Sequence, residues 1–132
     1  HAFISRESGK RFLGYLIAQK KSLTGERTHT VNRPELVEKY GYDTKFAMHA
    51  LRLGYEGIQL LTERHLTLPI KEPELTTLRA IRTGQIKFAE TMKLINDAEL
   101  QLRELVDNFK DEANRTAIDK FMVDAHLAHW GI

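Results

Sequence analysis

Apolar residues recur every three or four positions along most of the chain, and the clearest run lies near its middle. Between Asp43 and about Arg64, residues Phe46, Ala50, Leu53, Gly54, Gly57, Ile58 and Leu61 fall on one stripe. That spacing predicts a long amphipathic helix, with Asp43 positioned to cap it. A first helix is predicted from Ser5 to Leu23, on Phe12, Leu13, Leu16 and Ile17, with Tyr15 beside them. A short one runs from Asn32-Arg33-Pro34-Glu35 to Tyr40 and closes at Gly41, which makes Tyr40-Gly41-Tyr42-Asp43 a tight corner. Pro73-Glu74 opens another that carries Leu75, Leu78 and Ile81 and stops at Gly84. The run from Ile86 to about Phe109 presents Phe88, Met92, Ile95, Leu102 and Val106, widened by Leu94, Leu100 and Leu105. A last helix is expected from Arg115 to Trp130, facing inward through Ile118, Phe121, Met122, Ala125 and Leu127. The alternating stretch His65–Ile70 predicts an extended connector or a short edge strand. Gly54 and Gly57 sit on the apolar stripe inside a helix, where each costs about 1 kcal/mol relative to Ala. Close packing against another helix is the expected compensation. The expected fold is all-α, an irregular bundle of five or six helices forming a single domain over residues 1–132.

Composition narrows the classes. Two-fifths of the 132 residues are apolar, enough for a core, and no apolar run approaches the roughly 18 residues needed to span a bilayer. No membrane association is expected. Cysteine is absent, which excludes disulfides and thiolate metal sites and suits a cytoplasmic protein. The opening residues have no apolar signal-peptide core, and the start at His1 rather than Met suggests either a trimmed chain with a tag remnant or the ordered part of something longer. Net charge is +2 but unevenly distributed. Residues 1–66 hold 11 Lys/Arg against 7 Asp/Glu, and residues 67–132 hold 9 against 11. The basic half is mildly biased toward phosphates.

Candidate chemistry concentrates on the central helix. Lys45, His49, Arg52 and Glu56 are spaced three or four apart, so they form one polar row beside the apolar stripe. One reading is a solvated face with Arg52 and Glu56 as an i,i+4 pair. The other is an anion contact, because Arg grips phosphate with two donors, Lys supplies a point charge and His donates from a ring nitrogen. A helix N-terminus also favours anions through its free N–H groups. Tyr42 and Asp43 at the corner serve either as packing and cap or as flanks for a base or ribose. Arg27, His29 and Arg33 precede the corner, and Arg79 and Arg82 lie beside the stripe of the Pro73 helix. Other motifs carry little. Ser8-Gly9-Lys10 lacks the spacing of a phosphate-binding loop, and no Ser sits in a nucleophile elbow. His126 and His129 share a face but lack a clear third ligand, and Asp107/Asp111 reads as a solvated helix end.

The block YGYDTKFAMHALRLGYEGIQLLTERHLTLPI, Tyr40 to Ile70, resembles the C-terminal helical region of phage and bacterial predicted nucleotidyltransferases of the DNA polymerase β superfamily. The resemblance extends from about Arg11 to about Ala125. It implies that this chain is the C-terminal half of a larger protein, whose N-terminal catalytic domain carries a Gly-Ser turn and an Asp-x-Asp metal motif. Neither motif occurs here. It implies that the whole enzyme transfers a nucleoside monophosphate from a nucleoside triphosphate to an acceptor hydroxyl, using Mg²⁺ held by that other domain. Lys45, His49 and Arg52, with Tyr42 and Asp43, would line the nucleotide or acceptor cleft, and the segment alone would bind no metal and be catalytically incomplete. The alternative expectation is a non-enzymatic phage or bacterial helical module that binds a host protein or nucleic acid.

Overall fold

In a computed structural model, which describes residues 4–25 and 33–110, the helical periodicity becomes five helices. They are α1 (Arg6–Thr24), α2 (Pro34–Tyr40), α3 (Thr44–Glu63), α4 (Glu74–Arg82) and α5 (Phe88–Asn108). No strand occurs among the described residues, so the fold is all-α. The expected helix over Arg115–Trp130 lies outside the described residues, as do Arg27, His29, His126 and His129.

Local chemistry sets the helix ends. Ser5 caps α1, its hydroxyl accepting the Ser8 N–H at 3.3 Å. Pro34 occupies the first turn of α2, and Gly41 ends that helix with a left-handed backbone. The segment His65–Ile70 forms no strand, which corrects one of the two readings of its alternation. It has no neighbouring strand to pair with. Instead the Thr67 N–H donates to the Gln59 side chain at 2.9 Å, so the connector folds back along α3.

The middle helix is the hub. α3 packs against α1, α5 and α4. With three neighbours it is buried over an arc wider than one stripe. Thr44, Ala47, Ala50, Leu51, Gly54, Gly57 and Leu61 are buried, whereas Phe46, Leu53 and Ile58 stand half-buried at the margins. Leu16, Leu51, Ile81 and Ile95 form the centre of one core cluster. Ile4, Leu61, Leu102, Val106 and Phe109 form a second, toward the far end of α3. On α5 the expected Ile95, Leu102 and Val106 are buried, and Thr91 and Ala98 join them, while Phe88 is 40% and Leu100 58% exposed. Ala98 meets α3 at Gly54, where the helices approach closely.

That approach depends on glycine. A Cβ on Gly57 would lie 2.9 Å from Leu102 Cδ2 and 2.9 Å from Phe12 Cβ, so α1 and α5 both close on one point of α3. Gly54 meets Ala98 and Leu16 in the same way. Leu102 can change rotamer, but the Phe12 Cβ moves only with α1.

The last turn of α5 is fastened to the start of α1. The Arg6 guanidinium donates to the carbonyls of Phe109 at 2.9 Å and Asp107 at 3.5 Å. Arg64, left-handed at φ 63°, stacks its guanidinium 4.2 Å from the centre of the Phe109 ring. Among the described residues no helix is long and apolar enough to cross a membrane.

Gly57→Ala is therefore expected to destabilise the protein by about 1–3 kcal/mol despite the better helix propensity of Ala. Gly14→Ala, where nothing lies within 4 Å of the new Cβ, is expected to stabilise it by about 0.5–1 kcal/mol. Urea unfolding of the two variants checks the opposite signs.

Candidate functional site

The site is built on the corner between α2 and α3. The Asp43 carboxylate is fully buried. One oxygen accepts the N–H groups of Lys45 at 3.0 Å and Phe46 at 3.1 Å, which caps α3. The other accepts the Arg33 N–H at 2.8 Å and its guanidinium at 3.2 Å. The start of α2 and the start of α3 are thus tied to one charge. Arg33 also lies 4.9 Å over the Phe46 ring. The N-terminal N–H groups expected to be open to an anion are consequently in part occupied by Asp43.

Tyr42 turns the other way. It is 5% exposed, and its hydroxyl donates to the Ile86 carbonyl at 2.7 Å. Having given up its proton, it accepts from the Thr91 hydroxyl at 3.0 Å. Its ring packs 5.2 Å from that of Phe88. Burial raises the phenol pKa and the Thr91 bond works against that rise. Tyr42 and Asp43 thus share the corner with the polar row but point into the fold.

The polar row itself gathers company. His49 is half-buried, and its Nδ1 lies 3.3 Å from an Arg52 guanidinium nitrogen. A guanidinium only donates, so Nδ1 accepts and the ring proton of the neutral imidazole resides on Nε2. Burial, followed by the charges of Arg52, Lys45, Arg33 and Arg82, holds the His49 pKa below its ordinary value. These four cations come from the start of α2, two turns of α3 and the end of α4. Arg82 is brought in by α4, whose C-terminal Gly84 is left-handed at φ 78° and lies directly under the Tyr40 ring. A side chain at position 84 has neither the backbone freedom nor the room. Arg33 is neutralised by Asp43, and Arg52 reaches Glu56 only at 3.9 Å. Among the described residues, no carboxylate comes within salt-bridge distance of Lys45, Arg79 or Arg82.

A slot of about 280 Å³ adjoins this cluster between α3, α4 and the connector. Met48, Ile70, Leu75 and Leu78 give it an apolar floor, and Arg52, Arg79, Arg82 and Glu56 edge it. Beyond the connector a larger groove of about 430 Å³ runs between α3 and α5, bordered by Glu56, Glu63, Glu72, Glu74 and Asp97 with Lys71 among them, so its rim is acidic on balance. Glu56 stands on the wall between the two, and its burial raises its pKa against the pull of Arg52.

Of the residues singled out from sequence, Lys45, His49 and Arg52 are brought together. Arg33 and Arg82 join them; the sequence placed Arg33 just before the corner and Arg82 beside the stripe of the Pro73 helix without connecting either to the row. The ten-residue spacing of Arg33 and Asp43 across a Pro–Gly corner was the available sign of one connection, and the approach of Arg82 is purely tertiary. No family model matches the chain, and comparison with curated proteins and with solved structures gave no match either.

The His49 ring is expected to titrate below 6.5, and Lys45→Ala is expected to move its midpoint upward, both read from imidazole proton shifts. The folded pKa is the lower one, so the unfolded chain binds more protons in the window below 6.5. The stability contributed by neutral His49 is complete above that window and declines as pH falls through it. Asp43→Ala, which removes cap and ion pair together, is expected to cost about 2–4 kcal/mol, and Asp43→Asn less, by urea unfolding.

Proposed function

We propose that this chain is the phosphate-contacting helical half of a nucleotidyltransferase-like protein. Lys45, His49 and Arg52, assisted by Arg33 and Arg82, grip the triphosphate or the acceptor phosphate. The observation that carries the reading is that Arg52 lies 3.3 Å from His49 Nδ1, that Arg52 and Arg82 border one slot, and that Lys45 and Arg82 have no carboxylate at salt-bridge distance among the described residues. Like charges gathered on one face repel one another, and an incoming polyanion relieves the repulsion. Two guanidiniums supply planar pairs of donors, and the lysine supplies a mobile charge. The likeness of the Tyr40–Ile70 block to the nucleotidyltransferase helical region supports the same reading. Among the described residues, no three His, Cys, Asp or Glu gather as metal ligands. Mg²⁺ and the transfer chemistry belong, in this proposal, to a catalytic domain on another part of the protein. The acidic groove along α5 supports a second reading, a helical module whose partner is a basic protein segment.

Titration with ATP and GTP, with and without Mg²⁺, followed through amide shifts, separates the two. Under the first reading the shifts cluster on residues 45–52, Arg33 and Arg82, and Lys45→Ala or Arg52→Ala weakens binding by about tenfold each. Absence of shifts at millimolar nucleotide overturns it. Under the second, those substitutions leave partner binding unchanged and the shifts fall along α5.

A further inference from the structure

The apolar slot is continuous with the cation cluster, because Arg52 and Arg82 border both. A ligand held by its phosphates on the cluster therefore has a place for a flat, weakly polar moiety next door. Ligand pockets generally enclose about 300–1,000 Å³. At about 280 Å³ the slot is near the lower bound, the scale of a single base rather than a polymer.

Its edges are chemically unlike one another. Arg79 and Arg82 supply donors, with no carboxylate at salt-bridge distance among the described residues. Glu56 borders the same slot, and its side chain is only 14% exposed. No hydrogen bond to its carboxylate occurs among the described residues, and its nearest cation, Arg52 Nε, is 3.9 Å away. Glu56 also borders the acidic groove, but Arg52 borders the slot alone, so the charge that attracts the carboxylate stands on the slot side. A carboxylate that borders the slot and engages only one distant guanidinium keeps lone pairs open to a ligand that brings donors.

Resting on the reading that the cluster takes phosphates, we propose that the slot is a base subsite selective for guanine, with Glu56 as the specificity-determining residue. Guanine is the base whose edges offer partners to both the guanidiniums and the carboxylate. Its O6 and N7 accept from a guanidinium. Its N1–H and 2-amino group are adjacent donors that match the two oxygens of one carboxylate. Adenine lacks that adjacent donor pair. Uracil has one N–H between two carbonyls, and those carbonyls would face the carboxylate.

Calorimetric titrations of the whole chain with GTP, ITP, UTP and inorganic tripolyphosphate test this. ITP differs from GTP only by the missing 2-amino group. The wild-type chain is expected to bind GTP about tenfold more tightly than ITP, and UTP more weakly still. In Glu56→Gln the GTP/ITP ratio is expected to fall toward one, while tripolyphosphate affinity stays within about threefold. Leu75→Trp, which fills the floor of the slot, is expected to weaken GTP but not tripolyphosphate, and far-UV circular dichroism verifies that both variants fold. Tripolyphosphate binding with equal GTP and ITP affinities overturns the base subsite and leaves the phosphate reading intact. A GTP/ITP preference that survives in Glu56→Gln overturns the role of Glu56. Failure of tripolyphosphate itself to bind overturns both.

Discussion

One buried carboxylate holds the corner on which the candidate site is built. Asp43 accepts from two backbone N–H groups of α3 and from both the backbone and guanidinium of Arg33. A charge removed from water is tolerable only when its lone pairs are satisfied, and here they are. The consequence is geometric. The chain enters α2 and re-enters α3 from a common point, so the polar row of α3 always faces Arg33. Loss of the carboxylate would free the corner and release Arg33 from the row.

The rest of the structure explains why that row can stay densely cationic. α3 is fixed on three sides, with glycine at the closest contacts, so its helix has little freedom to rotate its charges apart. Four cations would be harder to assemble if the residue at their centre were charged too. Keeping His49 neutral removes a fifth, and its Nδ1 then orients one guanidinium.

The helices were legible in the sequence because their apolar spacing is regular and their ends carry strong signals, such as Ser5, Pro34, Gly41 and Asp43. The direction each face takes was less legible. Leu100 looked like part of the α5 face and is exposed, while Thr91 and Ala98 are buried, since close helix approach rewards small residues over large ones. Tyr42 has the appearance of a ligand-flanking aromatic, yet its hydroxyl finds two partners on the α5 side. Half of the cation cluster could be read from i,i+3 and i,i+4 spacing on one helix. Arg82 could not, because thirty residues and a tertiary contact between Tyr40 and Gly84 separate it from Arg52.

The fastening of Phe109 by Arg6 and Arg64 has a topological consequence. It draws the two ends of the described helical body to one corner, beside the C-terminal end of α3, whereas His49 lies near the N-terminal end. Twelve residues of helix, about 18 Å, separate His49 from Leu61. The two ends of the described body thus lie together, remote from the cation cluster. Loosening at this corner would therefore reach the start of α1 and the end of α5 together while leaving the Asp43 corner in place.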